Sequence, residues 1–210
     1  MRKVLIAGLF GLCGFPATAE PVVVAALGDS LTQGYGLPQG QGFVPQLQGW
    51  LDDQGVEVEL INAGVSGDTT AGGAARVAWT LTPEVDAMIV TLGGNDMLRG
   101  IDPGAVRQNL TTILSAAQDA QVDVLLVGMQ APGNYGPEYK EAFDRAYVEL
   151  AEEFKVPLAD SFFQGFPSND DPAAVQQWMQ SDGIHPNPEG VKLIVEGLGP
   201  QVLELVQAAN

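Results

Sequence analysis

VVVAALGDSLTQG, residues 22–34, decides how the rest of the chain is read. Its first six residues are apolar and half of them β-branched, a run of the length of a strand covered on both faces. It stops at Gly28-Asp29-Ser30, small and polar residues that suit a turn or a helix N-cap. Runs of the same kind recur at 56–61 (VEVELI), 87–92 (AMIVTL) and 122–127 (VDVLLV), with a weaker fifth at 156–159. Between them lie segments of helical spacing at about residues 42–53, 70–80, 103–120, 137–154 and 188–208. Strand and helix in alternation imply right-handed βαβ units, and so an α/β fold: a three-layer α/β/α sandwich on a parallel sheet. Residues 160–172 (DSFFQGFPSNDDP) are the least regular stretch and read as a long loop.

The chain has 210 residues, enough for one domain with a full core. Its composition, 46% hydrophobic and 17% charged with 26 glycines, excludes a disordered or fibrous protein. Residues 1–19 read as a signal peptide, with a cationic MRK start, an apolar stretch from Val4 to Phe15 and an A-x-A site ending at Ala19. As a helix the apolar stretch spans about 18 Å, short of a hydrocarbon core of about 30 Å, so it predicts export rather than a stable membrane anchor. The remaining 20–210 form the expected domain, placed in the periplasm or outside the cell.

Cleavage would remove Cys13, leaving neither a disulfide nor a thiol nucleophile. It would also remove Arg2 and Lys3, making the formal charge two units more negative than its present -17. A surface of that sign repels nucleic acid and anionic membranes. One histidine and no mature cysteine leave only carboxylates as metal ligands, and no EF-hand-like loop occurs, so neither a metal nor another cofactor is expected. Nothing points to an obligate partner, and a monomer is the expectation.

Ligands of an open parallel sheet bind at the C-terminal ends of its strands. After the first strand comes Gly28-Asp29-Ser30-Leu31-Thr32, after the second Asn62 to Thr69 (NAGVSGDT), after the third Gly93-Gly94-Asn95-Asp96, and after the fourth Gln130 to Gly136 (QAPGNYG). Singly, each is ordinary turn chemistry. Together they bring a hydroxyl, glycine amides and a carboxamide to one rim, which suits a developing negative charge. The only histidine, His185, lies in SDGIHP, three residues after Asp182, with Gly183 permitting a tight turn and Pro186 favouring an extended His185. Such a loop can aim the carboxylate at Nδ1 and leave Nε2 free.

A serine hydroxyl needs a base whose pKa lies near the working pH, and histidine meets this unperturbed. His185 is the one candidate, and Asp182 would fix its tautomer. For a tetrahedral oxyanion the natural donors are the backbone N–H groups of Ser30 and Gly67 and the side-chain amide of Asn95. Ser66 is the second-choice nucleophile; the G-x-S-x-G elbow of α/β-hydrolases is absent.

GDSL at 28–31, SGDT at 66–69, GGND at 93–96 and DGIHP at 182–186, in this order, resemble the four blocks of the SGNH (GDSL) hydrolase family. LGDSLTQGYG, NAGVSGDTT, LGGNDMLRG, NYGPEYKEAF and QWMQSDGIHPN are similar to its bacterial arylesterase, lysophospholipase and acyl-CoA thioesterase I branch. The resemblance covers nearly all of the chain beyond residue 19. It implies a flavodoxin-like five-stranded sheet of order 2-1-3-4-5. It also implies Ser30 as nucleophile, Gly67 and Asn95 as oxyanion donors beside the Ser30 N–H, and Asp182 with His185 completing a triad.

The expected activity is hydrolysis of carboxylic esters of small molecules or lipids with short to medium acyl chains: aryl esters, thioesters and lysophospholipids. A carbohydrate acetyl esterase is the alternative, and a non-catalytic binding module the alternative of another class. Met97, Leu98, Ala131, Pro132, Tyr135 and Ile184, with the loop carrying Phe162, Phe163 and Phe166, are candidates to line the acyl groove.

Overall fold

The computed structural model describes residues 21–167 and 172–210; the expected signal peptide and Cys13 lie outside the described residues. Five strands form one parallel sheet: β1 (Val22–Gly28), β2 (Val58–Gly64), β3 (Ala87–Thr91), β4 (Asp123–Val127) and β5 (Leu158–Ala159). Their order is β2-β1-β3-β4-β5, as expected. β1 and β3, the central neighbours, are buried nearly throughout, and this explains their apolar runs. β2 is an edge strand, partly exposed along most of its length, and it starts two residues later than VEVELI suggested because Val58 is the residue paired with Val22.

Among the described residues eight α-helices accompany the sheet: α1 (Ser30–Gln33), α2 (Phe43–Asp53), α3 (Thr70–Thr80), α4 (Gly94–Leu98), α5 (Pro103–Asp119), α6 (Pro137–Phe154), α7 (Pro172–Gln176) and α8 (Pro188–Ala208). α2 packs with α8, while α3, α5 and α6 pack in series. α5 shows why these segments are helical. Asp102 caps it through Gly104 N at 2.9 Å and Ala105 N at 3.3 Å, and Pro103 occupies the first turn, where its missing N–H costs nothing. Val106, Leu110, Ile113, Leu114 and Ala117 then recur on one buried face; a fully buried Val, Leu or Ile contributes about 1.5–3 kcal/mol. α8 is capped by Asn187 and buries Val191, Ile194, Leu198, Val202 and Leu205, with Pro200 on its exposed side. No helix among the described residues is long and apolar enough to cross a membrane.

In this strand order the chain leaves β1 toward one edge for β2, then crosses to the other side for β3. The C-terminal ends of β1 and β3 therefore flank a crevice, and α1 and α4 start at its two banks.

Candidate active site

β1 runs directly into α1. Asp29 is the N-cap, its Oδ1 accepting from Leu31 N at 3.0 Å, which sets Ser30 at the first helical position. Arg76 of α3 secures this end of the sheet. It donates from Nη2 to Gly28 O at 2.8 Å and from Nη1 to Ala63 O at 2.7 Å, and its Nε meets Asp68 Oδ2 at 2.7 Å. One side chain so fixes the ends of β1 and β2 and the loop holding Gly67.

The histidine loop is built around Asp182. Its Oδ1 accepts the backbone N–H groups of Ile184 at 2.9 Å and His185 at 3.0 Å, while Oδ2 lies 2.6 Å from His185 Nδ1. The bond to the imidazole, then those two backbone donors, hold the Asp182 carboxyl down at about 2. A carboxylate cannot donate, so Nδ1 carries the proton and the neutral ring keeps its Nε2 lone pair. Nε2 lies 2.9 Å from Ser30 Oγ. Gln180 brackets the two loops by donating from Nε2 to Tyr35 O at 2.8 Å and Pro186 O at 3.0 Å. The Tyr35 ring packs over the imidazole, with centroids 4.7 Å apart.

Ser30, Gly67 and Asn95, each with a donor group, line the same cleft as the imidazole. Gly67 adopts φ +81°, a conformation that side chains rarely take. Asn95 projects from the first turn of α4, whose N-cap Gly93 has φ +112° and leaves room for Tyr147 Oη; a Cβ there would come within 2.0 Å of that atom. Asn95 Nδ2 donates one hydrogen to Asp29 Oδ2 at 3.2 Å, leaving its other free. The backbone N–H groups of Ser30 and Gly67 meet no protein acceptor among the described residues. Burial pushes the Asp29 carboxyl up to about 6, against the opposing pull of Leu31 N–H, the Asn95 amide and His185. A hydroxyl in contact with a free imidazole nitrogen, facing unpaired donors, can be deprotonated as it attacks a carbonyl whose oxygen those donors receive.

A cleft of about 480 Å³ opens at Ser30 and His185. Its apolar wall is Met97, Leu98, Met129, Phe163, Met179 and Ile184, and a neighbouring cavity of about 240 Å³ shares Met97, Met129, Phe163 and Met179. Of the residues singled out in the sequence, Met97, Leu98 and Ile184 line the cleft, whereas Ala131, Pro132 and Tyr135 do not. Beyond Met129 the chain turns toward α6. Ala131 is buried there, with its N–H on Asp144 and its carbonyl on Lys140 Nζ, each at 2.8 Å; Pro132 is exposed, and Tyr135 packs on Tyr139 with centroids 5.0 Å apart.

The aromatic loop divides. Phe162 enters the core against Phe43, Phe163 faces the cleft, and Phe166 reaches the neighbouring cavity. Ser66 lines the cleft, but its hydroxyl donates to Gln33 Oε1 at 2.8 Å rather than meeting the imidazole. Tyr35, Met129 and Met179 were not anticipated. Tyr35 carried one signal: it lies between Gly34 and Gly36 a few residues after Ser30.

Residues 26–193 match the model of the GDSL-like lipase/acylhydrolase family. Esterase TesA of Pseudomonas aeruginosa is 39% identical over 207 residues, covering 98% of this chain and 100% of that protein. Thioesterase 1/protease 1/lysophospholipase L1 of Escherichia coli K12 is 36% identical over 191 residues, covering 90% of this chain and 86% of that protein. Among solved structures, AlinE4, described as an SGNH-hydrolase family esterase, superimposes with a TM-score of 0.73 at 38% identity, covering 90% of this chain and 98% of that one. With most of its length accounted for by the family's model and by relatives above 30% identity, the chain belongs to the GDSL-like lipase/acylhydrolase family.

Proposed function

We propose that the protein is an exported serine ester hydrolase in which Ser30 is the nucleophile, His185 the general base and acid, and Asp182 the group that orients and charges the imidazole. The observation that carries this reading is the 2.9 Å approach of His185 Nε2 to Ser30 Oγ, beside an Asp182 carboxylate 2.6 Å from Nδ1. Ser30 Oγ attacks the carbonyl carbon as its proton passes to Nε2. The oxyanion is received by the N–H groups of Ser30 and Gly67 and by Asn95 Nδ2. The bond to the leaving oxygen then breaks, and His185 protonates that oxygen. Water, deprotonated by His185, cleaves the acyl-serine and releases the acid.

The substrates are carboxylic esters with short to medium acyl chains, among them aryl esters, with thioesters and lysophospholipids as further candidates. The relatives named esterase and thioesterase 1/protease 1/lysophospholipase L1 support this range, and so does the apolar wall beside Ser30. Residues 1–19 would direct export to the periplasm or beyond, with the domain working as a monomer.

The test compares wild type and Ser30→Ala on p-nitrophenyl acetate, p-nitrophenyl octanoate and acetylated xylan. Wild type should favour octanoate and Ser30→Ala should lose turnover of all three while staying folded. Unchanged turnover in Ser30→Ala removes the nucleophile assignment, and a preference for acetylated xylan replaces the lipid-ester reading with a carbohydrate deacetylase.

A further inference from the structure

Gly67, in the loop after β2, and Asn95, in the first turn of α4, are bridged by a single nitrogen. Arg99, in the turn that ends α4, donates from Nη2 to Gly67 O at 2.9 Å and approaches Asn95 Oδ1 at 3.5 Å. Arg76, Arg107, Lys140, Arg145 and Lys192 each meet a carboxylate, whereas Arg99 has none within ion-pair distance among the described residues. Its specific partners are a backbone carbonyl and a carboxamide oxygen, both at the site.

We propose that Arg99 is a positioning residue that couples these two donors and, together with Asp29, holds the Asn95 carboxamide in one of its two flipped orientations. The proposal rests on the reading of Gly67 and Asn95 as oxyanion donors. The two ends of an amide have nearly the same shape, so neighbours choose its orientation. At Asn95 both neighbours choose alike: the ionised Asp29 carboxylate only accepts and faces Nδ2 at 3.2 Å, while the guanidinium only donates and faces Oδ1. Flipping the amide would set oxygen against carboxylate and NH₂ against guanidinium.

The native flip directs the second Nδ2 hydrogen away from Asp29, toward the cleft that Asn95 lines. On the loop after β2, Arg99 restrains the carbonyl of Gly67, whose φ of +81° is one that side chains rarely take. Arg99 itself is exposed, so the bridge adds little to stability. Its effect lies in geometry, where a donor misplaced by about 1 Å can cost about 10²-fold in rate.

The experiment is a double-mutant cycle on p-nitrophenyl octanoate at about pH 8, above the value of about 6 to which burial pushes Asp29. Arg99→Met should lower kcat about 10- to 100-fold with KM within about twofold. Arg99→Lys should recover most of this, because one nitrogen makes both contacts. Asn95→Ala should lower kcat about 10²- to 10³-fold, and adding Arg99→Met to it should cost clearly less than Arg99→Met costs alone.

Full additivity, wild-type kcat in Arg99→Met, or a loss confined to KM overturns the proposal. Wild-type kcat in Asn95→Ala removes the oxyanion reading itself, and the coupling falls with it; a large Asn95→Ala effect with additive Arg99→Met leaves that reading standing and removes only the coupling. Should Arg99→Met not fold, Arg99→Gln runs the same cycle.

Discussion

Replacing Asp182 by Asn changes one atom and should reverse the polarity of the whole proton path. The Asn oxygen will stay on the N–H groups of Ile184 and His185, because an NH₂ cannot accept from them. The NH₂ then takes the place of Oδ2, at 2.6 Å from Nδ1, and forces that nitrogen to accept. Nε2 must carry the proton and face Ser30 Oγ as a donor, with no lone pair to receive the hydroxyl hydrogen.

Restoring the reactive tautomer breaks the neutral amide–imidazole hydrogen bond, about 1 kcal/mol, and sets two N–H donors against each other, about 1–2 kcal/mol more. The lost pairing with the imidazolium adds only about 1 kcal/mol, since the Asp182 side chain is 37% exposed and screened by water. The sum, roughly 3–4 kcal/mol, corresponds to about 10²–10³ in kcat. That is less than the about 10⁴ known for a buried triad aspartate in a serine protease. The assay is kcat on a nitrophenyl ester at about pH 8, with the thermal midpoint as the control for folding. A folded Asp182→Asn enzyme within about fivefold of wild type would refute the reasoning.

Two further outcomes are expected. Asp29 holds its proton up to about 6, against 3.8 unperturbed, so between those values the unfolded chain releases a proton that the folded chain keeps. Stability should therefore fall by about 3 kcal/mol as pH rises through this window. Urea midpoints of wild type and Asp29→Asn should show that slope only in wild type; equal slopes would exclude Asp29 as its source. Asp182 acts in the opposite sense: held at about 2, it contributes stability above its ordinary range that is lost as pH falls toward 2. Secondly, N-terminal sequencing of protein from the periplasm or medium should begin at Glu20, and a start at Met1 would refute cleavage after Ala19.

The sheet was legible because its central strands are covered on both faces and so are written in unbroken apolar residues. At the edge the code weakens. Asn62, Ala63 and Gly64 look like a turn, yet they pair with Ala26, Leu27 and Gly28, because β1 supplies the ladder whatever the partner's side chains. The single-turn helices α1 and α4 could not be read, since one turn carries no period, and their GDS and GGND residues are equally good turn formers.

Ser30, Gly67 and Asn95 could be singled out because each lies in a polar, glycine-containing turn after an apolar run, His185 because it is unique, and Asp182 because it lies three residues before it. The cleft wall was less accessible, because apolar residues on connecting loops are written alike whether they face core or ligand. Met129 lines the cleft and Ala131, two residues on, packs beneath α6. The burial of Asp29 was also hidden, since nothing in GDSL says that its carboxylate sits between a helix cap and a carboxamide.

Ser30 and His185 touch across 155 positions of chain, one at the first strand and the other just before the last helix. The imidazole loop leads directly into α8, which packs on α2 and β4. On the proposed reading, a chain ending before residue 185 would carry the hydroxyl without its base, so ester hydrolysis should need nearly the whole chain.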